Sequence, residues 1–225
     1  MFRFCKEKFC NIDQDDQPTE TRKHVKRLVE ELDVRSVCEI GSFTGSSARM
    51  FASFPQVEVV ICVDPWRYLG DSQDEFGRSI AWPMCAGFPS NWFGMFCDSL
   101  RACEGDLWRK IVPIVGRSQE MASYVPKVDL VYIDGAHDYW SIMRDIQEYQ
   151  LKAKKVICGD DHHKRLPLAT TTDQATMVPC PHDQSKSNPC AFCEWCFPGV
   201  VAALGVLPNY DWEGKFWWSE VRRAG

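Results

Sequence analysis

Residues 37–47 read VCEIGSFTGSS. The apolar run ends at Ile40, Gly41 permits a tight turn, and Gly45 stands where the backbone would approach a ligand as a helix begins. The two glycines are four positions apart with Phe43 between them, so the stretch is not the G-x-G-x-x-G loop of dinucleotide-binding proteins. A strand, a glycine turn and a helix in this order predict the first unit of an α/β sheet, with a ligand site at the turn.

Two carboxylates flank this glycine loop. Glu39 precedes Gly41 by two residues, near the end of the predicted strand, and an acidic group there suits a ligand that carries positive charge. Asp64 ends the next apolar run and is followed by Pro65 and Trp66. A carboxylate at the tip of the strand after the glycine loop is placed to bind a ribose diol. Each feature is common alone, but together they favour a site for a ribose-bearing ligand.

Short runs rich in Val and Ile recur along the chain, as strands buried on both faces do. The predicted strands are Ser36–Ile40, Val57–Val63, Ile111–Val115, Leu130–Ile133 and Val156–Cys158. Helix-length segments separate several of them, and the predicted helices begin at Thr19 or Thr21, after Gly45, and at about Tyr139, the last one reaching Leu151. This alternation predicts a parallel sheet with helices on both sides. The aromatic segment 209–221 predicts an antiparallel hairpin that closes the sheet.

The composition excludes several classes of protein. The 225 residues suffice for one domain, and 45% hydrophobic with 25% charged residues is typical of a globular chain rather than a disordered one. A net charge of −5 gives no general attraction to nucleic acid or to anionic membranes. The apolar runs are too short to cross a bilayer, and the N-terminus lacks the apolar segment of a signal peptide. We therefore expect a cytoplasmic protein whose 12 cysteines are reduced thiols or metal ligands.

The chain is expected to have a polar leader over residues 1–18 and a single domain over 19–225. Two long segments interrupt the alternation: an aromatic insertion at about 68–103 and a Cys/His-rich insertion at about 162–196. Loops of that length in a compact domain are uncommon unless they form a lid or a binding element. The aromatic residues of the first insertion suit a flat or sugar-like ligand, core packing or a subunit interface, so a homo-oligomer remains open.

Acidic residues follow the fourth and fifth predicted strands. Asp134 comes directly after the fourth strand, and Asp160 and Asp161 follow the fifth. Because the carboxyl ends of parallel strands meet at one edge of a sheet, these carboxylates would lie together and repel one another unless protons or a cation intervened. Oxygen ligands of this kind suit Mg²⁺, with Mn²⁺ or Ca²⁺ as alternatives.

His137 follows Asp134 by three residues, across a glycine turn at the start of a predicted helix. The positive end of the helix dipole disfavours the charged imidazole, which would help His137 act as a base near neutral pH. A purely structural interpretation stays open, in which Asp134 and Asp161 cap helices and His137 is an ordinary loop residue.

The glycine loop resembles the first motif of the class I S-adenosylmethionine-dependent methyltransferases, an acidic residue followed by G-x-x-x-G. That family has a Rossmann-like, doubly wound, mostly parallel seven-stranded sheet with a C-terminal antiparallel hairpin. The resemblance implies S-adenosylmethionine as cofactor, with the glycine loop along its methionine portion and Asp64 on the ribose hydroxyls. The implied cofactor-binding residues are Glu39, Gly41, Ser42, Phe43, Thr44, Gly45, Asp64, Pro65 and Trp66, with Arg117 and Ser118 at the adenine edge.

The second half of the chain resembles a narrower group, the metal-dependent O-methyltransferases that act on sugar hydroxyls of macrolide and aminocoumarin antibiotics. Their I-D-G-x-H-x-Y and G-D-D motifs are matched by Ile133–Tyr139 and Gly159–Asp161. The resemblance implies His137 as general base, Asp134 as a catalytic residue, and Mg²⁺ bound by Asp134, Asp160 and Asp161.

The second insertion carries four thiols and an imidazole that could bind zinc: Cys180, His182, Cys190, Cys193 and Cys196. Paired C-x-x-C turns direct two sulfurs at one ion, and zinc would explain how a segment with little apolar content stays ordered. The spacing is not that of a standard zinc finger, so free buried cysteines and disulfides remain alternatives.

These features together predict a Mg²⁺-dependent methyltransferase that modifies a hydroxyl of a small sugar-like or diol acceptor, with neither nucleic acid nor membrane as partner. The alternative is a catalytically silent, methyltransferase-like binding or assembly module that uses a zinc-bound insertion as its contact surface. A nicotinamide dehydrogenase is disfavoured by the spacing of the glycines.

Overall fold

The computed structural model describes residues 19–66, 92–102, 105–136, 139–160, 196–211 and 216–221. The predicted leader, residues 67–91 and 103–104 of the aromatic insertion, and the Cys/His-rich insertion up to residue 195 lie outside the described residues. His137 and Asp161 lie outside them as well.

Strands and helices alternate along the described chain. The strands are β1 Ser36–Ile40, β2 Val59–Asp64, β3 Ile111–Val115, β4 Val128–Ile133, β5 Ala153–Gly159, β6 Asn209–Asp211 and β7 Phe216–Glu220. The helices are α1 Thr19–Glu31, α2 Ser46–Ser53, α3 Trp92–Arg101, α4 Ser118–Met121, α5 Tyr139–Tyr149 and α6 Cys196–Leu204. Short 3-10 turns lie at Leu107–Lys110, Ala122–Tyr124 and Gln150–Lys152. No helix of the described chain is both long enough and apolar enough to cross a membrane.

The described strands form one seven-stranded sheet in the order β3-β2-β1-β4-β5-β7-β6. Strands β1 to β5 pair in parallel, whereas β7 is antiparallel to both β5 and β6. The predicted mostly parallel sheet with a C-terminal hairpin is therefore confirmed. Strand order reverses at β1, which lies between β2 and β4, and the crevice at such a reversal is where open α/β sheets bind ligands.

Helices cover both faces of this sheet. On one face, α2 and α3 contribute Phe51 and Phe96 to a buried cluster that includes Tyr132 of β4. On the other face, α5 and α6 contribute Ile146 and Val200 to a second cluster. Because consecutive strand residues point to opposite faces, strands covered on both sides are apolar almost throughout, as the sequence indicated.

The N-terminal helix α1 lies on the same face as α2 and α3. Its apolar positions Val25, Leu28 and Val29 are buried, as their spacing predicts. The helix begins at Thr19, one of its two predicted starting residues. Thr21, the other, lies within the first turn, and its buried hydroxyl donates a hydrogen bond of 3.4 Å to Asp160 Oδ1. The helix therefore touches the carboxyl end of β5 through a polar contact.

Several elements differ from the sequence-based expectation, and strand β2 and helix α3 are the clearest cases. Strand β2 begins at Val59, because the backbone of Val57 is engaged in a turn with Phe54, and it extends to Asp64. Helix α3 was not predicted, although it forms the last part of the aromatic insertion and buries Phe96 and Leu100.

Candidate functional site

The carboxyl ends of four parallel strands lie side by side in one register. Ile40 of β1 pairs with Val63 of β2 and with Ile133 of β4, which in turn pairs with Gly159 of β5. Backbone hydrogen bonds continue this ladder one residue further, since Gly41 N donates to Val63 O at 2.9 Å, and Asp134 N to Ile40 O at 2.8 Å. We call the next residues of this row the carboxyl edge; they are Asp64, Gly41, Asp134 and Asp160.

Glu39 lies two residues before Gly41 of the carboxyl edge and is completely buried. Its Oε2 is 3.6 Å from the thiol of Cys62, while Oε1 has no hydrogen-bond partner. Burial raises the pKa of Glu39 to about 7. Ser42, in the adjoining loop, places its buried hydroxyl beside this carboxyl group. A buried acid with a carboxyl oxygen left over suits a cationic, hydrogen-bonding ligand.

The raised pKa of Glu39 predicts a dependence of stability on pH. The folded state holds this proton more tightly than the unfolded chain, whose glutamate has a pKa near 4.5. The stabilisation is thus complete below about pH 4.5 and is lost as the pH rises to about 7, a change on the order of 3 kcal/mol. In the Glu39→Gln variant, the free energy of unfolding measured with urea should not show this decrease between about pH 4.5 and 7.

The exposed Glu58, which bonds Arg35, offers the matched control. Glu58→Gln should keep the pH profile of the wild type between about pH 4.5 and 8. Parallel profiles for the wild type and Glu39→Gln would show that burial does not retain the proton on Glu39.

The two loop glycines are required by contacts within the protein. Both have positive φ angles, 89° for Gly41 and 83° for Gly45. A Cβ at Gly41 would lie 2.2 Å from the carbonyl oxygen of Asp134, so the turn packs directly on the chain after β4. A Cβ at Gly45 would lie 3.0 Å from the ring of Phe96. Gly45 thus borders the aromatic face of α3. Access of a ligand to its backbone stays a prediction.

Asp64 is almost fully buried and joins two loops. Its Oδ2 accepts a 2.9 Å hydrogen bond from the backbone N–H of Phe43, and its Oδ1 a 2.6 Å bond from that of Trp66. Burial raises the pKa of Asp64, and these two donors act against that rise. A carboxylate has about four acceptor positions, so roughly two remain for further donors. That number matches the two hydroxyls of a ribose.

Asp134 and Asp160 occupy neighbouring places on the carboxyl edge. Asp160 is 4% exposed, and Asp134 is half-buried. Tyr132 lies beneath them in a fully buried position, and burial first, then the charges of Asp134 and Asp160, raise its pKa well above the usual value. Because Ile133 pairs with Gly159, Asp134 and Asp160 directly follow the ends of neighbouring parallel strands, as the sequence predicts.

Within the described ranges, no group of three or more His, Cys, Asp or Glu side chains has the arrangement of a metal site. Two of the residues predicted for this chemistry, Asp161 and His137, are outside those ranges. So are Cys180, His182, Cys190 and Cys193. Cys196 is described only as the first residue of the α6 backbone. Magnesium and zinc binding by these residues stay predictions.

The predicted adenine-edge residues lie beside a buried acid that the sequence did not reveal. The Ser118 hydroxyl donates a 2.5 Å hydrogen bond to Asp145 Oδ1, and the Gln119 amide donates to the same oxygen at 2.8 Å. Arg117 is the residue before α4. Asp145 on α5 thus ties the turn after β3 to the helix after β4. In the sequence, Asp145 could be recognised only as a carboxylate beside the apolar face of a predicted helix.

Comparisons with known proteins agree with this architecture. A family model of the methyltransferase domain matches residues 38–162, more than half of the chain. A Staphylococcus aureus protein with a provisional caffeoyl-CoA O-methyltransferase assignment has a TM-score of 0.58 at 14% identity, covering 95% of this chain and 89% of its own. A provisional O-methyltransferase of Klebsiella pneumoniae gives 0.58 at 12% identity, covering 98% and 89%.

A third structure of the same kind is an O-methyltransferase of Bacillus cereus in complex with S-adenosylhomocysteine. Its TM-score is 0.56 at 11% identity, with 97% of this chain and 89% of that chain covered. At such identities these structures establish the fold and nothing finer. No curated protein matches the sequence significantly. The matched family model, the strand order and the glycine loop together show that the chain belongs to the methyltransferase-domain family, with the class I S-adenosylmethionine-dependent methyltransferase fold.

Proposed function

We propose that the protein transfers a methyl group from S-adenosylmethionine to a hydroxyl of a small sugar-like or diol acceptor, with the help of a divalent cation. The observation that carries this proposal is the carboxyl edge. Its register sets the predicted ribose acid Asp64, the glycine turn at Gly41 and the predicted metal ligands Asp134 and Asp160 in one row. One ligand bound across the crevice at β1 would meet all of them.

The residues near β1 and β2 fit S-adenosylmethionine. Asp64 keeps acceptor capacity for the ribose hydroxyls after binding Phe43 and Trp66. Glu39 offers a buried carboxyl oxygen without a partner, and this acidic group suits the cationic methionine portion. The Bacillus cereus structure, with its bound S-adenosylhomocysteine, lends support by similarity of fold.

The residues near β4 and β5 fit a divalent cation. Asp134 and Asp160 are hard oxygen ligands in adjacent strand positions, and their charges both act on Tyr132. Asp161 would complete the set. A cation held there would lower the pKa of a substrate hydroxyl and fix its direction. Thr21 donates to one oxygen of Asp160 and so helps to orient that carboxylate.

The chain itself must then accept the proton of the acceptor hydroxyl. We assign this role to His137, which precedes the first residue of α5 by two positions. The positive end of a helix dipole disfavours a protonated imidazole, so a histidine near it would be neutral and able to accept a proton near neutral pH. The O-methyltransferases of similar fold support oxygen as the methylated atom.

The proposal is tested by following methyl transfer from radiolabelled S-adenosylmethionine to a panel of vicinal diols, from catechol to methyl glycosides. We expect product with at least one diol, loss of product in excess EDTA, and recovery when Mg²⁺ is added beyond the chelator. Transfer that is undiminished in EDTA would refute the cation, and its absence with every diol, with the cofactor bound, would refute the acceptor class.

A further inference from the structure

Three hydrogen bonds form a closed ring between the loops that follow β1 and β2. Asp64 Oδ2 accepts from the backbone N–H of Phe43 at 2.9 Å, and Asp64 Oδ1 accepts from that of Trp66 at 2.6 Å. The ring is closed by the indole of Trp66, whose Nε1–H donates to the carbonyl oxygen of Phe43 at 2.6 Å. The two peptide groups on either side of Phe43 are thus fixed relative to the turn after β2.

The ring holds both loops in a backbone conformation that they would not adopt alone. Phe43 and Trp66 have φ angles of 40° and 41°, in the left-handed region that side-chain-bearing residues disfavour. Such conformations persist only where surrounding contacts impose them, and they are common at ligand sites. The contacts that Trp66 makes are therefore candidates for what imposes this one.

Helix α3 packs against the residues of this hydrogen-bonded ring. The Trp66 indole packs on Phe96 and Phe93, with ring centroids 4.6 and 5.1 Å apart, and it is 4% exposed. The ring of Phe43 meets Trp92 edge-on at 5.4 Å. Because α3 clamps the indole, its N–H is a rigid donor rather than a mobile one.

We propose that Trp66 is a positioning residue for the cofactor: its indole N–H holds the carbonyl of Phe43, which fixes the N–H of the same residue on Asp64 and keeps Asp64 aimed at the ribose. This inference rests on the proposed function. Trp66 acts through Phe43 and Asp64 and does not need to touch the cofactor. Its removal should weaken cofactor binding and leave the methyl-transfer step unchanged.

The variant Trp66→Phe keeps an aromatic ring against α3 and deletes the donor. We expect its affinity for S-adenosylhomocysteine, measured by calorimetry, to fall roughly tenfold, since one rigid buried hydrogen bond is lost. The KM for S-adenosylmethionine should rise by a similar factor, with kcat within about twofold of the wild type. Benzothienylalanine at position 66 keeps the bicyclic shape but lacks the N–H, and it should show the same loss of affinity. This variant controls for the smaller side-chain volume of Trp66→Phe.

A double-mutant cycle separates positioning from general stability. Asp64→Asn should weaken S-adenosylhomocysteine binding strongly, and adding Trp66→Phe should then cost much less than tenfold, because the residue it positions is already impaired. Trp108→Phe provides the matched control, since Trp108 is about half exposed and stacks only on Arg109 among the described aromatic contacts. It should leave affinity unchanged.

Two outcomes would overturn the proposal, and they are distinguishable from each other. Unchanged affinity in both position-66 variants, with a wild type that binds S-adenosylhomocysteine, overturns the role of Trp66 alone. Additive losses in the cycle do the same. A wild type that does not bind S-adenosylhomocysteine overturns the proposed function and, with it, this inference.

Discussion

Asp134→Asn is expected to lower methyl transfer by roughly 10³-fold while leaving S-adenosylhomocysteine affinity within about twofold of the wild type. Asp134 stands between the loop after β1 and Asp160, with its backbone N–H bonded to Ile40 O at 2.8 Å. Since the backbone holds the position, a neutral side chain of equal size should leave the fold intact. What it removes is one anionic oxygen of the proposed cation site.

Cation binding can be measured without knowing the acceptor. Titration with Mn²⁺, followed by electron paramagnetic resonance, should show one site in the wild type and an affinity at least about tenfold lower in Asp134→Asn. Asp98→Asn is the matched control, because Asp98 is exposed and bonds Arg101 on the surface. Equal Mn²⁺ affinity in the wild type and Asp134→Asn would remove Asp134 from the cation site.

Gly41→Ala is expected to destabilise the protein by roughly 3–5 kcal/mol or to prevent folding. The new methyl group would lie 2.2 Å from Asp134 O and 2.6 Å from Gly135 Cα, both of them backbone atoms that cannot turn aside. The φ of 89° adds conformational strain. Urea unfolding gives the free energy of unfolding, and soluble yield reports the extreme case.

Gly105→Ala separates strain from steric overlap. Gly105 also has a positive φ, 76°, but nothing lies within 4 Å of a Cβ built there. This variant should cost only about 1–2 kcal/mol, the conformational part alone. If the two alanine variants proved equally stable, the contact between the glycine turn and the chain after β4 would not be as tight as the structure has it.

The sheet could be predicted from the sequence because its strands are short apolar runs with abrupt ends. The bounds of β1 and β3 match the prediction residue for residue, whereas the predicted β5 starts three residues late and ends one residue early. The position of each strand end followed from these bounds, because the carboxyl ends of parallel strands lie at the same edge of the sheet. The sequence alone therefore predicted that Asp134 and Asp160 lie at the ends of neighbouring strands.

Features that depend on distant partners could not be predicted. Asp145 is recognisable only by its bonds to Ser118 and Gln119, more than 20 residues away in the chain. Helix α3 has apolar residues at helical spacing, but Gly94 inside it lowers helix propensity, and its aromatic residues suited a binding surface equally well. The contact of Gly45 with Phe96 depends on where that helix lies.

The proposed function requires a nucleoside site at Asp64 beside the glycine turn, and calorimetric titration with S-adenosylhomocysteine tests this site most directly. The wild type should bind one equivalent, and Asp64→Asn should bind at least about tenfold more weakly, because an amide replaces one of the acceptor oxygens. NAD should give no binding heat. Failure of the wild type to bind S-adenosylhomocysteine, or equal affinity in Asp64→Asn, would contradict the account.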